Sequence, residues 1–450
     1  MSTTLRRFLF YSFILVFLVL GAYLIVTAQG LTFDFHNLQF VKTGALFLKF
    51  NPSDASLQLN GKPKDISQGL VIPGVLITDL LPGTYHLALH KEGYETWEKN
   101  LDVQSGVVTA ASHIELWPAT STLKNVLQNP VSDFWMTNKG AVLLYPDNTL
   151  HFDGVVLRGN TIAASDENSN IVITKSGGAY FLTDLESPEI ATNLSSVFSS
   201  LETSAFNLAK AETIQTILFH PFSGSKLLIA TPKNLFSFDM KRVRLEKLLA
   251  SSSTVSAAVS DNEALLLDGK GTLFIFNLLL QTTNEYPLSI TDAESITTSP
   301  SGDLVFIMKK DGELLEYDRG SRATSTIARD VKSYFLSSGE ERMALIKNDG
   351  SLTMHALKDY HSDVDVTEGT NWNIALPKNA IPKSFFWLSD FPNYGLIVTT
   401  DGSLLITELD QRIPVNVYKL GEGVKKTIPA GTTLYLLRSD GALVETTLGE

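Results

Sequence analysis

From residue 43 onward, apolar and polar positions alternate in short runs that Gly, Asp, Asn and Pro cut apart. A two-residue period with turn residues between runs predicts strands joined by tight turns. Four cuts in the second half share the phrase Asp-Gly-x-Leu: Asp311 to Leu314, Asp349 to Leu352, Asp401 to Leu404 and Asp440 to Leu443. Each lies between two apolar runs and reads as the turn and second strand of a hairpin. Weaker copies extend the series backwards through Lys270-Gly271-Thr272-Leu273, Lys233-Asn234-Leu235, Gly177-Gly178-Ala179-Tyr180 and Asp147-Asn148-Thr149-Leu150.

The residues closing these phrases, from Leu150 to Leu443, mostly stand near 40 apart, with 38 between Leu314 and Leu352 and 39 between Leu404 and Leu443. A four-stranded propeller blade needs ~40–45 residues. Residues 119–450 are therefore expected to form a β-propeller of eight blades, with seven as the alternative because only 30 residues separate Leu150 from Tyr180. Residues 119–127 are expected to supply the outermost strand of the last blade. The resemblance is to propellers of the WD40 and TolB-like kind, carried by corners such as Thr298-Ser299-Pro300-Ser301-Gly302-Asp303 and His220-Pro221-Phe222-Ser223-Gly224. The Trp-Asp dipeptide of WD40 repeats is absent.

The N-terminus breaks the alternation. Arg6-Arg7 precede residues 8–28, which carry no charge. About twenty such residues at ~1.5 Å each match a ~30 Å hydrocarbon core. The expectation is a single transmembrane helix after a cytoplasmic segment, residues 1–7, with residues 29–42 as a linker and the body extracytoplasmic. Flanking Asp34, His36 and Lys42 fit that orientation under the positive-inside rule. A cleaved signal peptide ending near Val26-Thr27-Ala28 is the competing reading.

Residues 43–118 are expected to be a small β-sandwich. Their phrases Asn51-Pro52-Ser53-Asp54-Ala55, Leu57-Gln58-Leu59-Asn60-Gly61, Leu80-Leu81-Pro82-Gly83-Thr84-Tyr85 and Lys91-Glu92-Gly93-Tyr94-Glu95-Thr96-Trp97 resemble the PEGA domain family. Ser53-Asp54 replace the Glu-Gly of the name-giving tetrapeptide. The resemblance implies a spacer or binding module without catalytic residues. The whole layout is similar to PEGA-propeller proteins of candidate-phyla bacteria, which implies a place in the bacterial cell envelope.

Net charge −12 argues against nucleic acid as a partner, because phosphate binding needs a basic face. With no cysteine, disulfides, thiolate metal sites and thiol nucleophiles are excluded. No serine-hydrolase elbow, phosphate loop or zinc-protease helix occurs, so no cofactor is expected. Candidate binding residues are Tyr94 and Trp97, set on opposite faces of one strand by their spacing, with core packing as the plainer role. Arg242 and Arg244, in the basic run with Lys241 and Lys247, could bind an acidic polymer or simply protect a strand edge. His361, Asp363 and Asp365 beside Trp372 are weak candidates for a metal, at a spacing that matches no known ligand pattern. A helix is expected within residues 187–213, where Leu194, Val197, Phe198 and Leu201 form an apolar stripe behind a capping Asn193.

These features favour a non-catalytic binding or scaffold protein, with the lipid bilayer and an envelope protein, peptide or cell-wall glycan as partners. A hydrolase using carboxylates in the propeller channel and a structural wall spacer are the alternatives.

Overall fold

The computed structural model describes residues 3–28, 30–34, 39–65, 74–166 and 169–449. Its first element is α1 (Thr3–Ala28). The expected single-pass topology is corrected here, because among the described residues no helix is long and apolar enough to cross a membrane. The bilayer is withdrawn as a partner with it. His36, part of the flanking-charge argument, lies outside the described residues. The expected linker contains an antiparallel pair, Leu31–Asp34 with Gln39–Lys42.

Residues 44–115 form two sheets. One has three strands, with Gly44–Asn51 between Val75–Leu80 and the parallel Val108–Glu115; the other has four, ordered Lys62–Lys64, Ser56–Leu59, Gly83–His90 and Trp97–Val103. Leu46, Leu48 and Ile77 of the first sheet and Leu57, Leu87 and Leu101 of the second share one buried core. Two apolar faces closed on each other make a sandwich.

Eight four-stranded antiparallel sheets follow as a β-propeller. Blades 1 to 7 run over residues 133–157, 161–193, 216–250, 254–287, 293–328, 331–374 and 382–421. Blade 8 takes three strands from residues 424–447 and its fourth from Lys124–Asn125, which pairs with Glu445 and Val444. Among the described residues no sheet closes on itself, and the ring is held by side-to-side packing. Eight apolar clusters each join two successive blades, and Val131, Phe134, Leu437 and Leu443 join blade 8 to blade 1. The short interval before Tyr180 does not cost a blade, because blade 1 is built from strands of only 5, 5, 3 and 3 residues.

The Asp-Gly phrase has two jobs in this ring. Its aspartate accepts the N–H two residues on, as Asp349 Oδ1 does from Ser351 at 2.9 Å and Asp440 Oδ1 from Ala442 at 3.0 Å. Its glycine takes φ +82° to +86° in the four full copies, a region other residues resist. The freed glycine carbonyl then accepts from the entry to the next blade: Val331 to Gly312 at 2.9 Å, Val424 to Gly402 at 2.8 Å and, just ahead of the first strand of blade 1, Val131 to Gly441 at 2.9 Å. Blade 7 begins with Pro382, which has no N–H to give.

The expected second helix is α2 (Leu194–Phe206), capped by Asn193 accepting from Ser196 N–H. Leu194 and Phe198 are buried among Ile173, Ile229 and Phe236, so the stripe packs on its own propeller.

Candidate functional site

The sandwich sits on blades 6 and 7, and the contact begins with an odd strand. Trp97–Val103 alternates strictly, and Lys99 falls in the buried row with Trp97, Leu101 and Val103. A lysine on an inward row needs a counter-charge within reach. Glu408 supplies it from blade 7, 2.5 Å from the fully buried Lys99 Nζ. The same carboxylate accepts from Trp97 Nε1 at 2.6 Å and Asn416 Nδ2 at 2.8 Å, which satisfies it. Asn416 also accepts from Glu98 N–H at 3.1 Å and donates to Glu98 C=O at 2.9 Å, while Asn100 N–H donates to Ile413 C=O at 3.1 Å. The propeller thus covers the outer edge of a strand that would otherwise present open backbone groups.

A second charge group lies beside the first. Arg412 pairs with Asp410 at 2.6 Å and Asp363 at 3.4 Å, and donates to Ala110 C=O at 2.7 Å. Asp363 accepts from Ser112 N–H at 2.9 Å and from its hydroxyl.

Between these groups and the next turn of blade 7 lies a cavity of about 190 Å³ lined by Asn51, His113, Glu115, Asp390, Phe391 and Tyr394, among others. Burial pushes the Glu115 carboxyl up to about 7, against a lowering hydrogen bond from Asn51. Tyr394 is buried too; burial raises its hydroxyl well above the ordinary range, and this hydroxyl accepts from Glu115 N–H at 2.9 Å.

The candidate residues distribute as follows. Trp97 is a buried seam residue, not an open stacking platform. Tyr94 precedes the strand, in an isolated bridge to Pro118, and packs on the same core as Trp97, so the two do not lie on opposite faces. Trp372 packs into the core of blades 6 and 7 and donates Nε1 to Leu409 C=O at 3.1 Å. Asp365 pairs with His361, while Asp363 turns to Ser112 and Arg412. Among the described residues no cluster of three or more His, Asp or Glu could hold a metal. Arg242 and Arg244 are exposed, with Arg242 in a turn over residues 240–243, where Val243 takes φ 50°, and only Arg244 opening a strand.

Sequence reasoning missed Lys99, Glu408, Arg412, Asn416 and Glu115. Lys99 had a readable signal, its place on the apolar row of an alternating strand. The others had none, since their partners across the seam lie some 280 to 320 residues away.

No family model matches the chain, and no curated protein matches it. Solved structures that resemble it include "Structure of Kluyveromyces lactis Hsv2p", at 9% identity and TM-score 0.43, covering 65% of this chain and 97% of that one. "Kluyveromyces lactis Hsv2" is similar at 8% identity and TM-score 0.45, covering 65% and 98%. At that level the likeness carries no argument, and the architecture rests on this chain's own strand pairing.

Proposed function

We propose that the chain is a non-catalytic binding and scaffold protein, with the propeller as a platform for a protein, peptide or glycan and the PEGA-like sandwich as a rigid spacer. One observation carries this reading. The charged side chains gathered at the seam are spent on one another, with Glu408 saturated and Asp363, Asp410 and Arg412 mutually paired. Such a cluster joins two domains and leaves the far face of the ring free for a partner.

The hydrolase alternative has one specific foothold. Glu115, raised to about 7, shares its cavity with Asp390, and a carboxyl poised near neutrality suits a general acid. The test is crosslinking of the full chain to candidate protein and polysaccharide fractions, with release of soluble fragments scored in parallel. Saturable crosslinking competed by unlabelled chain supports the platform. Fragment release abolished by Glu115→Gln would replace it with the hydrolase.

A further inference from the structure

The first strand of each blade is the one nearest the axis, because first strands touch first strands between blades 2 and 3, 3 and 4, 4 and 5, 6 and 7, and 8 and 1. In six blades that strand opens with a similar irregularity, one unpaired residue after the first pair in blades 4, 5, 6, 7 and 8 (Val255, Glu294, Lys332, Lys383 and Lys425) and after the second pair in blade 2 (Ala163). Each of these six is exposed. A bulge re-aims its extra side chain, and here it does so at one rim of the central channel.

Which rim follows from strand direction. The sandwich touches turns between first and second strands, at residues 390–394, and between third and fourth strands, at residues 360–366 and 409–416. In an antiparallel blade both turns lie at the end opposite the start of the first strand. The bulges therefore ring the channel mouth on the face away from the sandwich.

Three successive blades place lysine there. Lys383 Nζ reaches Lys425 C=O at 3.3 Å, and Lys425 Nζ reaches Ser132 C=O at 2.7 Å, so the ammonium groups step from one axial strand to the next. No carboxylate pairs with any of the three among the described residues. Neighbouring Lys426 is different: it is neutralised by Asp133 at 2.8 Å. Glu294 bounds the arc on the blade 5 side.

Lys332, Lys383 and Lys425 thus set three ammonium groups without a carboxylate partner, among the described residues, on three successive first strands at one channel mouth. We propose that this mouth binds an acidic peptide segment, an inference that rests on the platform reading and names its ligand. Separated lysines act as point charges that match carboxylates strung along an extended chain, whereas a single phosphate is better held by the planar fork of arginine. The Asp-Gly turns put Asp311, Asp349, Asp401 and Asp440 on the same face, so the favourable field is confined to the three lysines and suits a short acidic segment rather than a long polyanion such as nucleic acid.

The test is titration of the full chain with a hexaglutamate peptide at low ionic strength, beside hexaserine and inorganic phosphate. The expected result is binding of hexaglutamate alone, weakened about tenfold or more by Lys332→Gln, Lys383→Gln and Lys425→Gln together, and unchanged by Arg242→Gln with Arg244→Gln. Equal binding by the triple variant, no binding by the parent chain, or preference for phosphate would overturn the site. The crosslinking assay separates the two ideas: a partner captured equally by parent and triple variant sinks the lysine mouth and leaves the platform standing.

Discussion

The two faces of the propeller use charge in opposite ways. At the seam, Lys99 and Glu408 are buried, close and saturated with hydrogen bonds, so their charges hold two domains together and offer nothing to a third molecule. At the far mouth, Lys332, Lys383 and Lys425 are exposed and lack carboxylate partners among the described residues. A buried charge is expensive to leave alone and an exposed one is not, so removing a charge should unfold the first region and only silence the second.

The sharpest way to break that contrast is Lys99→Met. It leaves Glu408 charged and under-paired in the seam, and should cost ~3–5 kcal/mol in urea unfolding. Replacing both partners, Lys99→Met with Glu408→Leu, should recover most of the loss because no orphan charge remains. A single-variant cost under ~1 kcal/mol would show that water reaches the pair, and the seam would then be no tighter than the mouth.

Glu115 tests the same boundary by pH. Its carboxyl stands at about 7 in the fold against an ordinary 4.5, so between those values the folded chain holds a proton that the unfolded chain has lost. Its stabilising contribution is complete below pH 4.5 and disappears as pH rises through 7. Glu115→Gln should flatten this slope and be the more stable form above neutrality. Parallel stability curves for parent and variant across that window would place Glu115 in water.

A smaller loss is expected at the ring's own latches. A Cβ on Gly271 would stand 2.4 Å from Ile290 C=O, at a φ of +77°. Gly61 has a similar φ of +75° but nothing within 4 Å. Gly271→Ala should therefore cost ~2 kcal/mol or more, and Gly61→Ala only ~1 kcal/mol, the price of backbone strain without a clash. Equal melting shifts would show that the close approach of the next blade contributes nothing.

The latches also explain how much of this fold could be read from sequence. Asp-Gly-x-Leu repeats because one residue must turn the hairpin at positive φ while its carbonyl meets the next blade, and both demands select glycine at a fixed spacing. Asn193 ahead of the Leu194 and Phe198 stripe announced α2 for a similarly local reason. The seam was legible only in halves. Lys99 on an apolar row says that a counter-charge exists, but nothing local says it is Glu408. Charge-free residues 8–28 suggested a membrane span, a reading that counted residues in sequence and that the described helix does not carry. The lysine mouth was written in the chain as Val331-Lys332-Ser333, Pro382-Lys383-Ser384 and Val424-Lys425-Lys426, yet an alternation pattern treats each as an ordinary exposed position. Only the bulge sets them on one rim.

The smallest effect is expected where the comparison predicts silence. Each mouth lysine is exposed, and the bonds of Lys383 and Lys425 go to neutral carbonyls that water can serve equally well. Lys332→Gln, Lys383→Gln and Lys425→Gln should each move stability by no more than ~0.5 kcal/mol, either way. Removing like charges from adjacent blades should, if anything, relieve repulsion, and the relief should fade with added salt. A cooperative loss of stability in the triple variant would show that the stepwise ammonium-to-carbonyl contacts brace the axial strands. The mouth would then be a second seam, serving the ring rather than a ligand.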